Sequence, residues 1–395
     1  MGILSTKRVA SLLAAGAGAV ALAAAPGSAS AACTNITGTG ATLQTLAQTA
    51  VWIPGTTACA GNITYTGIGS QPGLNRWKAD GTAGSPSTDS YIATDDAPSA
   101  LQISNISTAN GGSTVEVIPV LQAAVTVLVN LPSGCSAASS NPLHADPAAL
   151  QNAYDANTAT FNDLFPGGQL TGTCSATIDP IARNSGSGTT QIFKKYLDIA
   201  SPGNWSGDVT GDATWPAGSV VRATANGGSG MVAAVNSTDG TVGYANLADA
   251  QVRGLSETPG ANGFWVYLPS AGDPSGWAGP LQDDGFGTLT SNCDSTNYGT
   301  VPSTTTNADW SNVFGVSLRP ANYGLCGLSY VVALTYRYNR VSGRTFNEGD
   351  TVRQYLQYVT NSASGQLDIA SHSYAPLPGG IATTAAAGAA LVNSN

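Results

Sequence analysis

The residues best suited to chemistry lie in one run, Arg183-Asn184-Ser185-Gly186-Ser187-Gly188-Thr189-Thr190, which leads into Gln191-Ile192-Phe193-Lys194-Lys195-Tyr196-Leu197. Ile192, Phe193, Tyr196 and Leu197 recur at helical spacing, so the second half predicts an amphipathic helix with the Ser/Gly/Thr run at its N-terminus. The first N–H groups of a helix have no partner within it and carry about half a positive charge, which makes them an anion site. Glycines let a ligand approach the backbone, hydroxyls add donors, and the planar fork of Arg183 matches two oxygens at once. A lone Gly-Ser-Gly is more often a helix cap on a surface loop. The rest of the chain shifts the balance toward the anion site.

The elements that would hold such a site come earlier in the chain. Gly38-Thr39-Gly40-Ala41 leads into a helix expected to start at Thr42, with Leu43, Leu46, Ala47, Ala50 and Val51 on its buried face. Ile63-Thr64-Tyr65-Thr66-Gly67 predicts a strand, and Ser70 is placed to cap a helix that has Pro72 in its first turn and runs through Trp77. Ser90-Tyr91-Ile92-Ala93 predicts a third strand, with Asp95-Asp96-Ala97-Pro98 opening a third helix. Strand, polar turn and helix thus repeat, each time with a hydroxyl or carboxylate at the helix start, where α/β sheets bind ligands.

Further on, Glu116 to Leu131 is a long apolar, β-branched run suited to buried strand, and Tyr154 to Phe165 predicts a helix. Gly227-Gly228-Ser229-Gly230 is a glycine cluster, and Gly240-Thr241-Val242-Gly243-Tyr244 predicts a turn and a strand. Residues 254–315 are rich in Gly, Ser, Thr, Asn and Pro and suggest an elaborated loop region. Leu328 to Tyr338 is β-prone, Asp350 is expected to cap a helix, and an Ala-rich helix closes the chain.

Lys7 and Arg8, the apolar run from Val9 to Ala25, and Ala29-Ser30-Ala31 together predict a secretory signal peptide over 1–31. The mature protein is therefore expected outside the cytoplasm. Cys33, Cys59, Cys135, Cys174, Cys293 and Cys326 then suggest three disulfides between sequence neighbours, 33 with 59, 135 with 174 and 293 with 326. A lipid anchor on Cys33 is the less favoured alternative, because it would leave a cysteine unpaired. With no Cys-x-x-Cys and only 2 histidines, His144 and His372, a metal site is not expected.

About 364 residues beyond the signal exceed what one core accommodates, so two lobes are expected. The chain carries 14 basic against 23 acidic residues and no basic run, which argues against nucleic acid as a partner. No Gly-x-Ser-x-Gly elbow is present and two histidines leave little scope for a triad, so an enzyme is not expected.

Gly38-Thr39-Gly40-Ala41-Thr42, Thr66-Gly67-Ile68-Gly69-Ser70, Asp96-Ala97-Pro98, Arg183 with Gly186-Ser187-Gly188-Thr189-Thr190, Gly240-Thr241-Val242-Gly243-Tyr244 and Tyr374-Ala375-Pro376-Leu377-Pro378 occur in a telling order. In that order they resemble the phosphate-binding proteins of bacterial ABC transporters. The resemblance implies an α/β, two-lobed periplasmic-binding-protein-like (type II) fold, each lobe a mixed sheet flanked by helices, with disulfide-stapled insertions in lobe two. Lobe one would be 34–126 with 328–395, lobe two 127–327 with a loop-rich insertion near 254–320, and hinge motion would close them on the ligand.

The implied ligand is inorganic phosphate, without a cofactor, and the implied partner is the transporter's permease, with the protein itself a monomer. Its implied contacts are Thr42 and Leu43, Ser70, Asp96 as acceptor of the ligand's proton, Arg183 as cation, and Ser187, Gly188 and Thr189 at the helix terminus. A carboxylate there would also reject an unprotonated oxyanion such as sulfate. Two residues depart from the family pattern. Ser185 stands where an aspartate usually orients the arginine, and Asp95 stands where a serine usually precedes the site aspartate. The alternative function is the same fold turned to a surface or interaction role, or to another oxyanion.

Overall fold

The strand Val115–Asn130 is the axis of the fold, and all 16 of its residues are buried. An apolar run on both faces belongs in the middle of a sheet covered on both sides. Along its first part this strand pairs antiparallel with Cys326–Leu334, and along its last part with Thr241–Asn246. The main order across the sheet is Ile63–Gly67, Ile36–Gly40, Tyr91–Thr94, Cys326–Leu334, Val115–Asn130, Thr241–Asn246, Asp179–Arg183 and Ala223–Ala225, with Phe264–Trp265 and Tyr374–Ala375 also pairing with Val115–Asn130. Pairing is parallel in both wings and antiparallel in the middle, which makes the sheet mixed as expected. This computed structural model describes residues 33–156, 158–200, 202–217, 223–260, 263–271, 275–283, 289–293, 296–315, 322–335 and 344–394. The expected signal peptide at 1–31 and part of the 254–320 insertion lie outside them.

Two hydrophobic cores share this sheet. Along the central strand, residues up to Ala123 pack into the first and residues from Ala124 into the second. On the returning strand Cys326 belongs to the second core and Leu328 to the first. Tyr298, Ala308, Trp310 and Val313 pack in the first core, although the sequence-based division places them with lobe two.

Several expected boundaries move, each for a local reason. The first helix does not start at Thr42: the chain makes a turn there, Thr45 N–H donating to the Thr42 carbonyl at 3.1 Å. Helical structure begins at Thr45 and includes a π-helical stretch, Ala47–Trp52. Ser70 is not the cap but the first helical residue of Ser70–Arg76, with Gly69 before it at φ 104°. Asp95 and Asp96 do not open a helix. Ser99 and Gln102 form a capping box that starts Ala100–Ala109 beyond Pro98, which leaves both aspartates on the connection after Tyr91–Thr94. The stretch expected to be one helix near 154–165 is two, Pro147–Asp155 and Phe161–Leu164, because Thr160 and Asp163 cap a new turn. Asp350 likewise lies inside Phe346–Val359, which Thr345 and Glu348 cap five residues earlier than expected.

The glycine cluster opens a helix, Gly227–Ser237. Disulfides join Cys33 to Cys59, Cys135 to Cys174 and Cys293 to Cys326, each pair being neighbours in the order of cysteines. Among the described residues no helix is long and apolar enough to cross a membrane.

Candidate functional site

Arg183 ends the strand Asp179–Arg183, and the helix Gly188–Ala200 begins five residues later. Its side chain is only 2% exposed. Nη2 donates to Thr42 Oγ1 at 3.4 Å, whereas Nε and Nη1 have no hydrogen-bond partner in the protein. Burial lowers the guanidinium's pKa, opposed by the fields of Tyr244, Asp95 and Asp249. A guanidinium keeps its proton even so, which leaves a buried cation with free donors. Its backbone is anchored: the Arg183 N–H donates to Tyr244 Oη at 3.2 Å, and Tyr244 shares a 2.8 Å hydrogen bond with Thr190 Oγ1.

The helix terminus meets the other half of the sheet at Ser70. Gly188 N–H donates to Ser70 Oγ at 3.3 Å, Asp95 N–H donates to the same oxygen at 3.1 Å, and the hydroxyl donates to Asp95 Oδ2 at 3.3 Å. Ser187 N–H is taken by the Gly211 carbonyl at 2.6 Å. Only glycine fits at 188, since a Cβ there would stand 2.2 Å from Asp95 Cβ.

Asp95 Oδ1 accepts from Ser329 Oγ at 2.5 Å, and Gln44 Nε2 donates to that hydroxyl at 2.7 Å. Ser329 reaches it from a register shift in the strand pair, between Ser329 and Tyr330. Burial pushes the Asp95 carboxyl up to about 7; the hydrogen bonds from Ser329 and Ser70 and the charge of Arg183 pull against it, while Asp96 adds to it.

Asp249, in the helix Leu247–Val252, acts on Arg183 through its charge, which favours the protonated guanidinium. Asn246 Nδ2 donates to Asp249 Oδ2 at 2.5 Å and Ser229 Oγ to Oδ1 at 3.3 Å. Gly228 passes so close that a Cβ would stand 2.0 Å from Asp249 Oδ2. Asp249 and Thr42 line one cavity of about 310 Å³ together with the start of the Gly227–Ser237 helix. Burial raises the Asp249 carboxyl, opposed by Asn246, Ser229 and the two arginines Arg183 and Arg253.

The model of the PBP superfamily domain matches residues 23–307. The chain belongs to the PBP superfamily. No curated protein sequence matches it. Among solved structures, the ancestral soluble variant of the Human Phosphate Binding Protein aligns with a TM-score of 0.65 at 15% identity, over 89% of this chain and 92% of its own. A phosphate-binding protein from Stenotrophomonas maltophilia aligns at 0.62 and 18%, over 90% and 94%. A DING protein aligns at 0.62 and 16%, over 88% and 93%. At these identities the likeness is one of fold.

Within this PBP fold the residues singled out from sequence fall into two groups. Thr42 is in direct contact with Arg183 and Ser70 with Gly188, Asp95 is bonded to Ser70 while its charge bears on Arg183, and Ser187 and Thr189 flank Gly188 at the helix terminus. Leu43 is buried, and its carbonyl accepts from Tyr374 Oη at 2.7 Å. Asp96 is not part of this group. Its oxygens accept from Gln71 Nε2 and Gln191 Nε2, each at 2.5 Å, and with Lys195 it lines a separate cavity of about 740 Å³. Asp95, and not the Asp96 named from sequence as the acceptor of the ligand's proton, is the carboxylate bonded to Ser70.

Asp249 and Ser329 were not singled out. Asn246-x-x-Asp249 reads simply as a helix cap, and nothing in sequence marks the register shift that aims Ser329. Among the described residues no group of three or more His, Cys, Asp or Glu side chains is placed to hold a metal ion.

Proposed function

We propose that the protein captures inorganic phosphate at Arg183 and delivers it to an ABC transporter. The observation that carries this reading is a buried guanidinium whose Nε and Nη1 have no partner in the protein, with the Thr42 hydroxyl on its Nη2 and a glycine-tight helix terminus following in the same chain segment. A cation so placed calls for an anionic ligand with several oxygens. Thr42, Ser70, Arg183, Ser187, Gly188 and Thr189 are the ligand's contacts in this reading, with the main chain at Leu43 beside them. Asp95 takes the role of proton acceptor. Solved relatives described as phosphate-binding proteins support the choice of phosphate.

In the same proposal 34–126 with 328–395 form one lobe and 127–327 the other, the second sending Tyr298, Ala308, Trp310 and Val313 into the first core, and the chain crosses between them on Val115–Asn130 and Cys326–Leu334. The protein is a secreted, monomeric binder rather than an enzyme, it works with a permease, and its Cys33 is held in a disulfide instead of carrying lipid. Equilibrium dialysis of the mature protein against labelled phosphate tests the capture step. One bound phosphate per chain is expected, and none bound would remove the reading.

A second reading, a surface or interaction role, or another oxyanion, has one observation in its favour. The Gly188 N–H that opens the helix is held by Ser70, and the Ser187 N–H before it by Gly211, so an anion would have to displace protein groups there. Dialysis separates the two readings.

A further inference from the structure

Two neighbouring lysines on the helix Gly188–Ala200 are both buried, but their ammonium groups are served very differently. Lys194 Nζ donates to Asp208 Oδ1 at 3.0 Å, to Asp212 Oδ1 at 2.9 Å and to the Thr214 carbonyl at 2.6 Å, so each of its three N–H groups has an acceptor. Lys195 Nζ reaches one acceptor among the described residues, the Ser311 carbonyl at 3.4 Å, and otherwise lies 3.8 Å from the centre of the Phe314 ring. Lys195 is only 5% exposed. A buried ammonium with donors to spare calls for an acceptor from outside the protein.

The cavity of about 740 Å³ that Lys195 lines also carries the opposite charge. Asp96 is 7% exposed in its wall, and its two oxygens accept from different amides, Oδ2 from Gln71 and Oδ1 from Gln191. Acceptance at both oxygens favours the ionised carboxylate and leaves each oxygen a lone pair for a further donor. Gln191 and Lys195 stand four residues apart on one face of the helix, which therefore presents together the amide that fixes Asp96 and the underserved ammonium. The charges of Asp96 and Lys195 favour one another, yet no hydrogen bond or ion pair joins the two groups. Asp212, the other carboxylate on the lining, is already engaged by Lys194.

Each of these is a buried charge without a contact of opposite sign, which is costly. A ligand carrying both signs relieves both. Its carboxylate would take the N–H groups of Lys195, and its ammonium would donate to Asp96. An inorganic anion would serve Lys195 but bring a second negative charge toward Asp96, and a neutral sugar would leave both charges without a counter-ion. The volume leaves room for a side chain beyond the charged head, against Ala97, Val209 and the Phe314 ring.

We propose that this cavity is a second ligand site, for a free α-amino acid held by its two charged groups, the carboxylate on Lys195 and the ammonium on Asp96. The site is separate from Arg183 and does not depend on what binds there.

The test is calorimetric titration of the mature protein with each of the twenty protein amino acids, in excess inorganic phosphate and at pH 7, below the value of about 8 to which burial lowers Lys195. At least one amino acid is expected to bind, one per chain. Its N-acetyl derivative, which lacks the ammonium, and its amide, which lacks the carboxylate, are each expected to bind more weakly by about tenfold or more. Lys195→Met and Asp96→Asn, each shown to be folded by circular dichroism, are expected to weaken the amino acid by a similar factor; if neither variant folds, the two blocked derivatives decide on the wild type alone. No heat with any of the twenty, a blocked derivative that binds as tightly as its parent, or unchanged affinity in both folded variants overturns the inference.

Discussion

Asp95 and Asp96 are adjacent in sequence, yet their carboxylates serve different compartments. Asp95 accepts from Ser70 and Ser329 beside Arg183, and Asp96 accepts from Gln71 and Gln191 beside Lys195. The helix terminus at Gly188 packs directly on the backbone and Cβ of Asp95.

This division predicts an asymmetry between two similar substitutions. Asp95→Asn is expected to admit sulfate, because the carboxylate that repels an unprotonated oxyanion is gone. Asp96→Asn is expected to leave the preference of phosphate over sulfate unchanged within about threefold. Competition of sulfate against labelled phosphate measures both, and the reverse order would return the acceptor role to Asp96.

Arg183→Lys keeps the charge but loses the fork, so Nε and Nη1 can no longer be offered to two oxygens together. Phosphate affinity is expected to fall by about tenfold to a hundredfold, with the fold intact. A lysine variant that binds like the wild type would show that only the charge matters.

Gly188→Ala would set a Cβ 2.2 Å from Asp95 Cβ, with backbone atoms behind it. Such overpacking is expected to cost about 2 kcal/mol of stability and to spread the contact between the helix terminus and Ser70. Urea unfolding reads the first effect and phosphate affinity the second. A neutral substitution would mean that this contact is looser than described.

Stability without ligand should depend on pH through Asp95. Its carboxyl stands at about 7 in the folded chain against an ordinary 3.8. The folded state therefore binds the proton more tightly, so this contribution is full below about 3.8 and is lost as pH rises through about 7. Asp96, Asp249 and Glu116 are raised by burial as well and act in the same direction. Lys195, lowered to about 8 from 10.5 by burial, acts oppositely, and only between those values. Melting temperature is expected to fall from pH 5 to pH 7.5, with a shallower fall in Asp95→Asn. An identical slope in that variant would remove Asp95 as the cause.

Much of this was legible in sequence because it is local. The strand–turn–helix order, the buried run at 115–130 and the anion motif after Arg183 follow from spacing and residue type alone. What was not legible depends on long-range placement. Ser99 and Gln102 cap a helix three residues beyond where Asp96 was expected to open one, and that shift decides which aspartate turns toward Arg183. The contact from Ser329 to Asp95 spans 234 positions and rests on one register shift, and Asp249 stands behind a commonplace helix cap. Ser185 looked like a lost partner for the arginine, since the charge that faces it comes from a helix more than sixty residues on.

The most direct test of the account is isothermal calorimetry on mature protein stripped of ligand by partial unfolding and refolding, titrated with phosphate and then sulfate near pH 8, where the Asp95 carboxyl is ionised. Binding of one phosphate per chain, no heat with sulfate, and loss of binding in Arg183→Ala are the predicted results. Folded protein that gives no heat with phosphate, or binds it equally well without Arg183, would contradict the account.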